Sequence, residues 1–188
     1  MAEPSEPSAD RTGHTEPSPV KRIAFLLSAD REASLGALAK LVERWGCTDH
    51  DGTPRPFDLT NYYESEMGSG LERWVVSFAR LLPADGLVDA KLDALQVEDA
   101  WRGPDGRRRV NIDPGYLDLH KVVLASLKPG APKIYLGRGT HADMICRYSK
   151  GMFTPFEWTF EDFRRGLYDA DLLEIRRRYK AGLRRDNP

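Results

Sequence analysis

Lys21-Arg22-Ile23-Ala24-Phe25-Leu26-Leu27 is the run on which the fold turns. Its apolar stretch follows two cations and is too short for a buried helix, so it reads as a central strand covered on both faces. The run ends at Ser28-Ala29-Asp30. Asp30 is placed to accept the first free N–H groups of a helix along which Leu35, Leu38, Val42 and Trp45 recur at helical spacing, and Gly46 is placed to close it. Ile23, Phe25 and Leu27 are therefore expected in the interior of a sheet, with the four helix residues facing it.

Downstream, a polar loop holds Pro54 and Pro56, and Phe57-Asp58-Leu59-Thr60-Asn61-Tyr62-Tyr63-Glu64 alternates as a second strand would. Gly68 and Gly70 mark a turn. In Leu71 to Phe78 a helical spacing competes, but Trp74-Val75-Val76-Ser77-Phe78 favours a strand. From Pro83 to Trp101 the spacing of Leu87, Ala90, Ala94, Val97 and Trp101 is helical, and Gly103-Pro104-Asp105-Gly106 stops it. Arg108 to Ile112 restarts extended chain. Strand, helix, strand, strand, helix, strand is the order of a ferredoxin-like plait, an α/β (α+β) fold whose antiparallel sheet carries both helices on one face. The remainder elaborates it. Residues 117–127 fit helix or strand, Lys133 to Leu136 and Met144 to Tyr148 form an added hairpin, and Phe160 to Leu183 form a basic C-terminal helix.

Composition sets the class. The 188 residues carry 28 Lys and Arg against 29 Asp and Glu, a net charge of -1, which gives no global pull toward nucleic acid or an anionic membrane. A 40% hydrophobic content suffices for one core, and no apolar run approaches the ~18 residues a spanning helix needs. The opening Met1-Ala2-Glu3-Pro4-Ser5-Glu6 is acidic where a secretory signal is basic and then apolar. Cys47 and Cys146 form no paired motif, so a reducing cytoplasm is expected. Residues 1–19, with Pro4, Pro7, Pro17 and Pro19 among acids, read as a disordered tail, 20–183 as a single globular domain, and 184–188 as a frayed end.

Familiar catalytic signatures are missing. The phosphate-binding pattern GxxxxGK[ST] does not occur, which excludes a Walker-type nucleotide hydrolase. Gly137-Arg138-Gly139-Thr140-His141-Ala142 imitates a dinucleotide turn, but the strand expected after it leaves no room for the required helix, so a hairpin turn is expected. His14, His50, His120 and His141 lack the spacing that puts two ligands on one helical face, and Asp49-His50-Asp51 reads as a solvated loop, so no metal site is expected. No cofactor is implied. Cys146 sits within an apolar strand, where burial suppresses the thiolate.

Two polar clusters carry the functional expectations. Tyr62, Tyr63, Glu64 and Glu66 gather at a strand end beside glycine. In Arg109-Val110-Asn111-Ile112-Asp113-Pro114-Gly115-Tyr116, Val110 and Ile112 point one way and Asn111 and Asp113 the other, before Pro114-Gly115 forces a type II turn-like break. There Asp113 either closes an Asx-type turn or contacts a ligand. The leading expectation is a small binding module for an anionic or nucleotide-like ligand. Tyr62, Tyr63, Asn111, Asp113 and Tyr116 would line its site, with Lys121 and Arg138 holding the ligand. The competing class is an enzyme using Glu66 or Asp113 as general acid/base. A third is a nucleic-acid binder working through the C-terminal arginines, since residues 164–188 hold eight Lys and Arg against four acids.

Together, Tyr62 to Gly68, Arg108 to Leu117, Lys121 to Ser126, Ile134 to Gly139 and Pro155-Phe156-Glu157-Trp158-Thr159 resemble the bacterial domain-of-unknown-function family 4416 over about residues 20 to 180. The resemblance implies a cytosolic bacterial protein. It implies no reaction, and a GTP-binding role attached to some relatives has no matching motif here.

Overall fold

The computed structural model describes residues 17–60 and 63–186. Most of the expected disordered tail, residues 1–16, lies outside them, as does Tyr62. The elements are β1 (Val20–Ser28), α1 (Arg31–Trp45), β2 (Thr48–Asp51), β3 (Arg55–Pro56), α2 (Glu64–Met67), β4 (Glu72–Leu82), α3 (Leu87–Ala100) and β5 (Asn111–Leu117). They continue with β6 (Lys121–Ser126), β7 (Lys133–Gly137), β8 (Thr140–Ser149), β9 (Met152–Pro155), α4 (Glu161–Arg164) and α5 (Asp169–Asp186). All nine strands join one sheet in the order β2-β4-β1-β5-β6-β8-β7, with β3 also on β4 and β9 also on β8. Every pairing is antiparallel.

β1 is central, paired with β4 on one side and β5 on the other, and all nine of its residues are buried. Its alternate side chains seed two cores. Ala24 and Leu26 meet Ala37, Leu41 and Trp45 of α1 and Ala90, Ala94 and Val97 of α3. On the opposite face Ile23 and Phe25 join Phe163 of α4, Tyr168, and Leu172, Ile175 and Tyr179 of α5. The sheet is thus covered from both sides. Among the described residues no helix is long and apolar enough to cross a membrane.

Several local signals act as read. Asp30 Oδ1 accepts the Ala33 N–H at 3.0 Å, and Gly46, at φ +92°, returns its N–H to Val42. Residues 72–82 are strand, residues 121–126 are strand, and β7 and β8 form a hairpin turned by Arg138 and Gly139, both at positive φ as a primed turn requires.

Four expectations need correction. Leu35 is 55% exposed, because the buried row of α1 runs through Ala33, Ala37, Leu41 and Trp45, with Leu38 and Val42 only partly covered. The small residues let α1 approach closely, and the Trp101 ring packs where a side chain on Gly36 would stand. The second strand is β2, in the stretch read as a polar loop; of the 57–64 stretch, residues 57–60, 63 and 64 form no strand, and Asn61 and Tyr62 lie outside the described residues. The polar side chains of β2 find distant partners: Ser77 Oγ donates to Asp49 at 2.6 Å, and His50 Nε2 lies 2.9 Å from Asp171. Phe57 instead folds over Leu27 and Leu71, and Glu64–Met67 is a short helix. Pro114-Gly115 makes no break, since β5 runs straight through it and Asp113 faces Phe25 across the ladder, with no Asx turn. Finally, the C-terminal helix is divided, with Gly166 at φ +70° between α4 and α5, and α5 continues beyond Leu183 to Asp186.

Candidate functional site

The chemistry gathers where the sheet forks. β5 pairs with β6 only from Gly115↔Leu124 onward, while the Asn111 to Pro114 part of β5 has no strand on that side. Pro114 has no N–H to offer a neighbour, so it fits the point where the ladder opens. Beyond the fork β6 turns with β8, pairing Ala125 with Ala142 and Ser126 with His141. Two side chains of α3 replace the missing strand: Glu98 Oε1 accepts the Ile112 N–H at 2.6 Å, and Lys91 Nζ donates to the Ile112 carbonyl at 3.0 Å. Both are buried.

The fork holds a cavity of about 530 Å³. Leu95, Leu124, Phe57, Tyr63 and Phe160 contribute apolar wall. Five cations (Arg73, Lys91, Arg108, Lys128, Lys133) and five carboxylates (Glu98, Asp113, Asp143, Glu161, Asp162) line the rest.

Arg73 organises one wall. It is 3% exposed, and its guanidinium donates to Asp162 at 2.7 Å and to Asp113 at 2.9 Å. It also lies over the rings of Phe25, Phe57, Phe160 and Phe163 at 5.1 to 5.6 Å. Burial opposes its charge, but the Asp162 and Asp113 carboxylates outweigh that and hold it protonated beyond the usual arginine range. Asp162 also accepts from the Tyr168 hydroxyl at 2.9 Å. Burial, ahead of the neighbouring charges, pushes that phenol upward.

Arg108 organises the other wall. It grips Glu66 with two bonds of 2.7 and 2.6 Å and donates to Asn111 Oδ1 at 2.7 Å. The bond from Arg108 holds the Glu66 carboxyl below the usual range. Glu98 behaves oppositely: burial raises its carboxyl, only partly opposed by Lys91 and the Ile112 N–H. A carboxyl raised on folding loses stability as pH climbs through its folded value, because the ionised form is the disfavoured one. Glu98→Gln, which keeps the acceptor for Ile112 and stays neutral, is expected to raise the urea midpoint at pH 8 and to leave it unchanged near pH 4. Equal midpoints for the two proteins at pH 8 would contradict this.

Three buried polar atoms on residues of this cavity lack a hydrogen-bond partner among the described residues: Arg73 Nε, Asn111 Nδ2 and Asp143 Oδ1. Such atoms are uncommon in folded proteins and each costs about 1–3 kcal/mol when left unmet. Two are donors and one is an acceptor.

The fold divides the residues expected to form one site. Tyr63, Asn111 and Asp113 line the cavity together, and Glu66 reaches it through Arg108. Tyr116 and Lys121 lie instead in a separate groove with Val123, Ile134, Met144 and Trp158, where the Lys121 amine sits 5.9 Å from the Tyr116 ring and pairs with Asp118. Arg138 is in the β7–β8 turn, paired with Asp89. Three of the C-terminal arginines are engaged as well. Arg177 and Arg178 both bond Glu174, and Arg176 donates to the Leu119 carbonyl while stacking 3.6 Å from the Tyr148 ring centre. Cys146 is buried, and burial pushes its thiol up to about 12, as its apolar setting implied. Sequence reading missed Arg73, Lys91, Glu98, Lys133, Asp143 and Asp162. Two of these carry a visible signal: Lys91 and Glu98 are seven residues apart, on the apolar stripe of α3 itself.

No curated protein matches the chain, and neither does any solved structure. A family model does match. It spans residues 18–179, from the entry of β1 to within α5, and its description is a domain of unknown function (DUF4416). The chain belongs to that family.

Proposed function

We propose that the chain is a small binding module whose ligand sits in the cavity at the β5–β6 fork and is anionic and nucleotide-like. The observation that carries this reading is the meeting around one cavity of three residues, Arg73, Asn111 and Asp143, each with a buried polar atom that has no partner among the described residues. Two donors ask for an acceptor-rich group, the acceptor on Asp143 asks for a donor on the same molecule, and Phe57, Leu95, Leu124 and Phe160 offer apolar contact to its body. The balance of five cations and five carboxylates favours a ligand with one compact anionic group over a polyanion.

The test is a melting scan against inorganic phosphate, dicarboxylates and nucleoside monophosphates. A ligand at about 100 times its Kd adds roughly 2.7 kcal/mol, and for a chain of this size that is a rise of about 5–10 °C. The rise should vanish in Asn111→Leu, which removes the donor. A flat response across all three classes in the wild-type protein would end this reading.

An enzyme is the second reading, and Glu98 is the observation that favours it. Glu66 is held ionised by Arg108, which does not suit proton donation, and Asp113 is bonded to Arg73. Glu98 is buried, raised above the usual carboxyl range and lines the cavity, as a general acid would. Recognition of nucleic acid through the C-terminal arginines draws less support, because Arg176, Arg177 and Arg178 already have partners within the chain.

For the architecture we adopt a ferredoxin-like plait, β1-α1-β2-β4-α3-β5, extended by β6 to β9 and backed by α5. The strand order β2-β4-β1-β5 and the packing of α1 and α3 on one face support it. We place the protein in a bacterial cytoplasm, a setting supported by its two unpaired cysteines.

A further inference from the structure

Five carboxylates line the fork cavity, and the chain meets four of them with a hydrogen bond. Asp162 accepts from Arg73 and Tyr168, Asp113 from Arg73, Glu98 from the Ile112 N–H and Glu161 from Arg165. Asp143 differs. It is 7% exposed, its Oδ1 has no partner among the described residues, and its Oδ2 lies 3.5 Å from Lys133 Nζ, longer than a typical N–H to oxygen bond of about 2.7–3.2 Å. The lysine is engaged elsewhere, donating to Ser126 Oγ at 2.9 Å. A buried carboxylate oxygen without a donor is costly, so a ligand that supplies one gains by the difference.

Strand register sets Asp143 apart from the other two unmet groups. Asp143 pairs with Leu124 and Leu124 with Gly115, which places it two strands across from Gly115, while Asn111 is four residues along β5 from the same glycine. At about 3.3 Å per residue and 4.8 Å per strand, the two backbones are roughly 15 Å apart. Arg73 belongs to the Asn111 end, since both pair with Leu27 of β1, and Arg108 stands there too, bonded to Asn111. Two unmet donors and two guanidinium groups thus mark one end of the cavity, and the unmet acceptor marks the other. An elongated ligand answers both, with its anionic group toward Arg73 and Asn111 and an N–H donor toward Asp143.

We propose that this donor is an uncharged amino group on a planar ring, and that Asp143 is the residue that selects it; the proposal rests on the reading of the fork cavity as a ligand site. Charge decides against an ammonium. Lys133 already stands beside Asp143, and a second cation on the same carboxylate would be repelled by it. A ring amine offers two N–H donors and carries no charge at neutral pH. The ring itself suits the wall, where Phe57, Phe160, Leu95 and Leu124 offer apolar contact.

Calorimetric titration of the full chain with AMP against IMP, and CMP against UMP, tests this, because each pair keeps the sugar and phosphate and exchanges an amino group for a carbonyl oxygen. The amino member of at least one pair should bind about tenfold tighter or more, since its partner sets oxygen against carboxylate oxygen with no proton between them. In Asp143→Asn, whose amide presents either a donor or an acceptor, the preference should fall below about twofold. A circular-dichroism melt checks that this variant is folded. Equal affinities within both pairs would overturn the amino group and leave the cavity reading standing, and a preference unchanged in Asp143→Asn would overturn the role of Asp143. A preference for 5-aminopentanoate over glutarate, with none within the nucleotide pairs, would mark an ammonium ligand and overturn the choice of an uncharged amine. Failure of all four nucleotides to bind would also overturn the proposal; only if phosphate and dicarboxylates are inert as well does the reading of the cavity fail with it.

Discussion

Arg73→Leu is expected to remove about 3–5 kcal/mol of stability, the range for breaking a buried ion pair from one side. The leucine fits among Phe25, Phe57, Phe160 and Phe163, so packing is not the main loss. The loss comes from the acids left behind. Asp162 has a wholly buried side chain that keeps only the Tyr168 hydroxyl and the Phe163 N–H, while Asp113 is 23% exposed and can turn toward water. Urea unfolding should show the drop, and for a chain of this size it corresponds to a fall in Tm of about 6–20 °C. The double variant Arg73→Leu with Asp162→Asn should recover part of it, because the uncompensated charge is then gone. A single-variant loss below about 1 kcal/mol would mean that the pair is solvated in solution, and the cavity wall it forms would have to be drawn differently.

Arg73 also shows what the sequence displays and what it conceals. The strand through Trp74, Val75 and Val76 is legible from residue type, and so are β1, the Asp30 cap, the stripe of α3 and the β7–β8 turn, because each depends on neighbours a few residues away. Arg73 is buried, as are all residues from 73 to 78, so burial along β4 does not single it out. Its partners, 40 and 89 residues away, are not visible from its neighbours in sequence. The same distance hides β2. Thr48-Asp49-His50-Asp51 looks like a loop until Ser77 and Asp171 are brought to it, the latter from 121 residues away.

The candidate site divides for a reason that alternation does contain. Asn111 and Asp113 differ by two positions along β5 and share a face, whereas Tyr116 is three beyond Asp113 and must point to the other. Reading Pro114-Gly115 as a turn obscured that parity. A proline is an acceptable strand residue where its missing N–H faces a gap, and the gap appears only once β6 is seen to leave β5.

Gly115 holds the fork together, and Gly115→Ala is the second large effect expected. A Cβ built there would lie 2.3 Å from the Val123 carbonyl oxygen and 2.6 Å from Leu124 Cδ2, and the nearer atom is backbone that cannot swing aside. β5 and β6 share only three paired positions, Gly115↔Leu124, Tyr116↔Val123 and Leu117↔Val122, so a displacement at the first is felt by the whole ladder. The expected cost is about 3 kcal/mol, the upper part of the range for overpacking. Gly46→Ala is the control. That glycine is at φ +92° and ψ 179°, a region almost closed to other residues, with nothing within 4 Å, so an added methyl there strains only its own backbone, at about 1–3 kcal/mol. Hydrogen exchange separates the two variants more sharply than stability does. Gly115→Ala should speed exchange at amides across the β5–β6 junction while those between β1 and β4 stay protected, because the sheet opens at the fork before the rest unfolds. Gly46→Ala should leave that pattern unchanged. If Gly115→Ala lowers stability yet exchange rises evenly over the sheet, the fork is not a separable joint, and the cavity between β5 and β6 is as rigid as the core around β1.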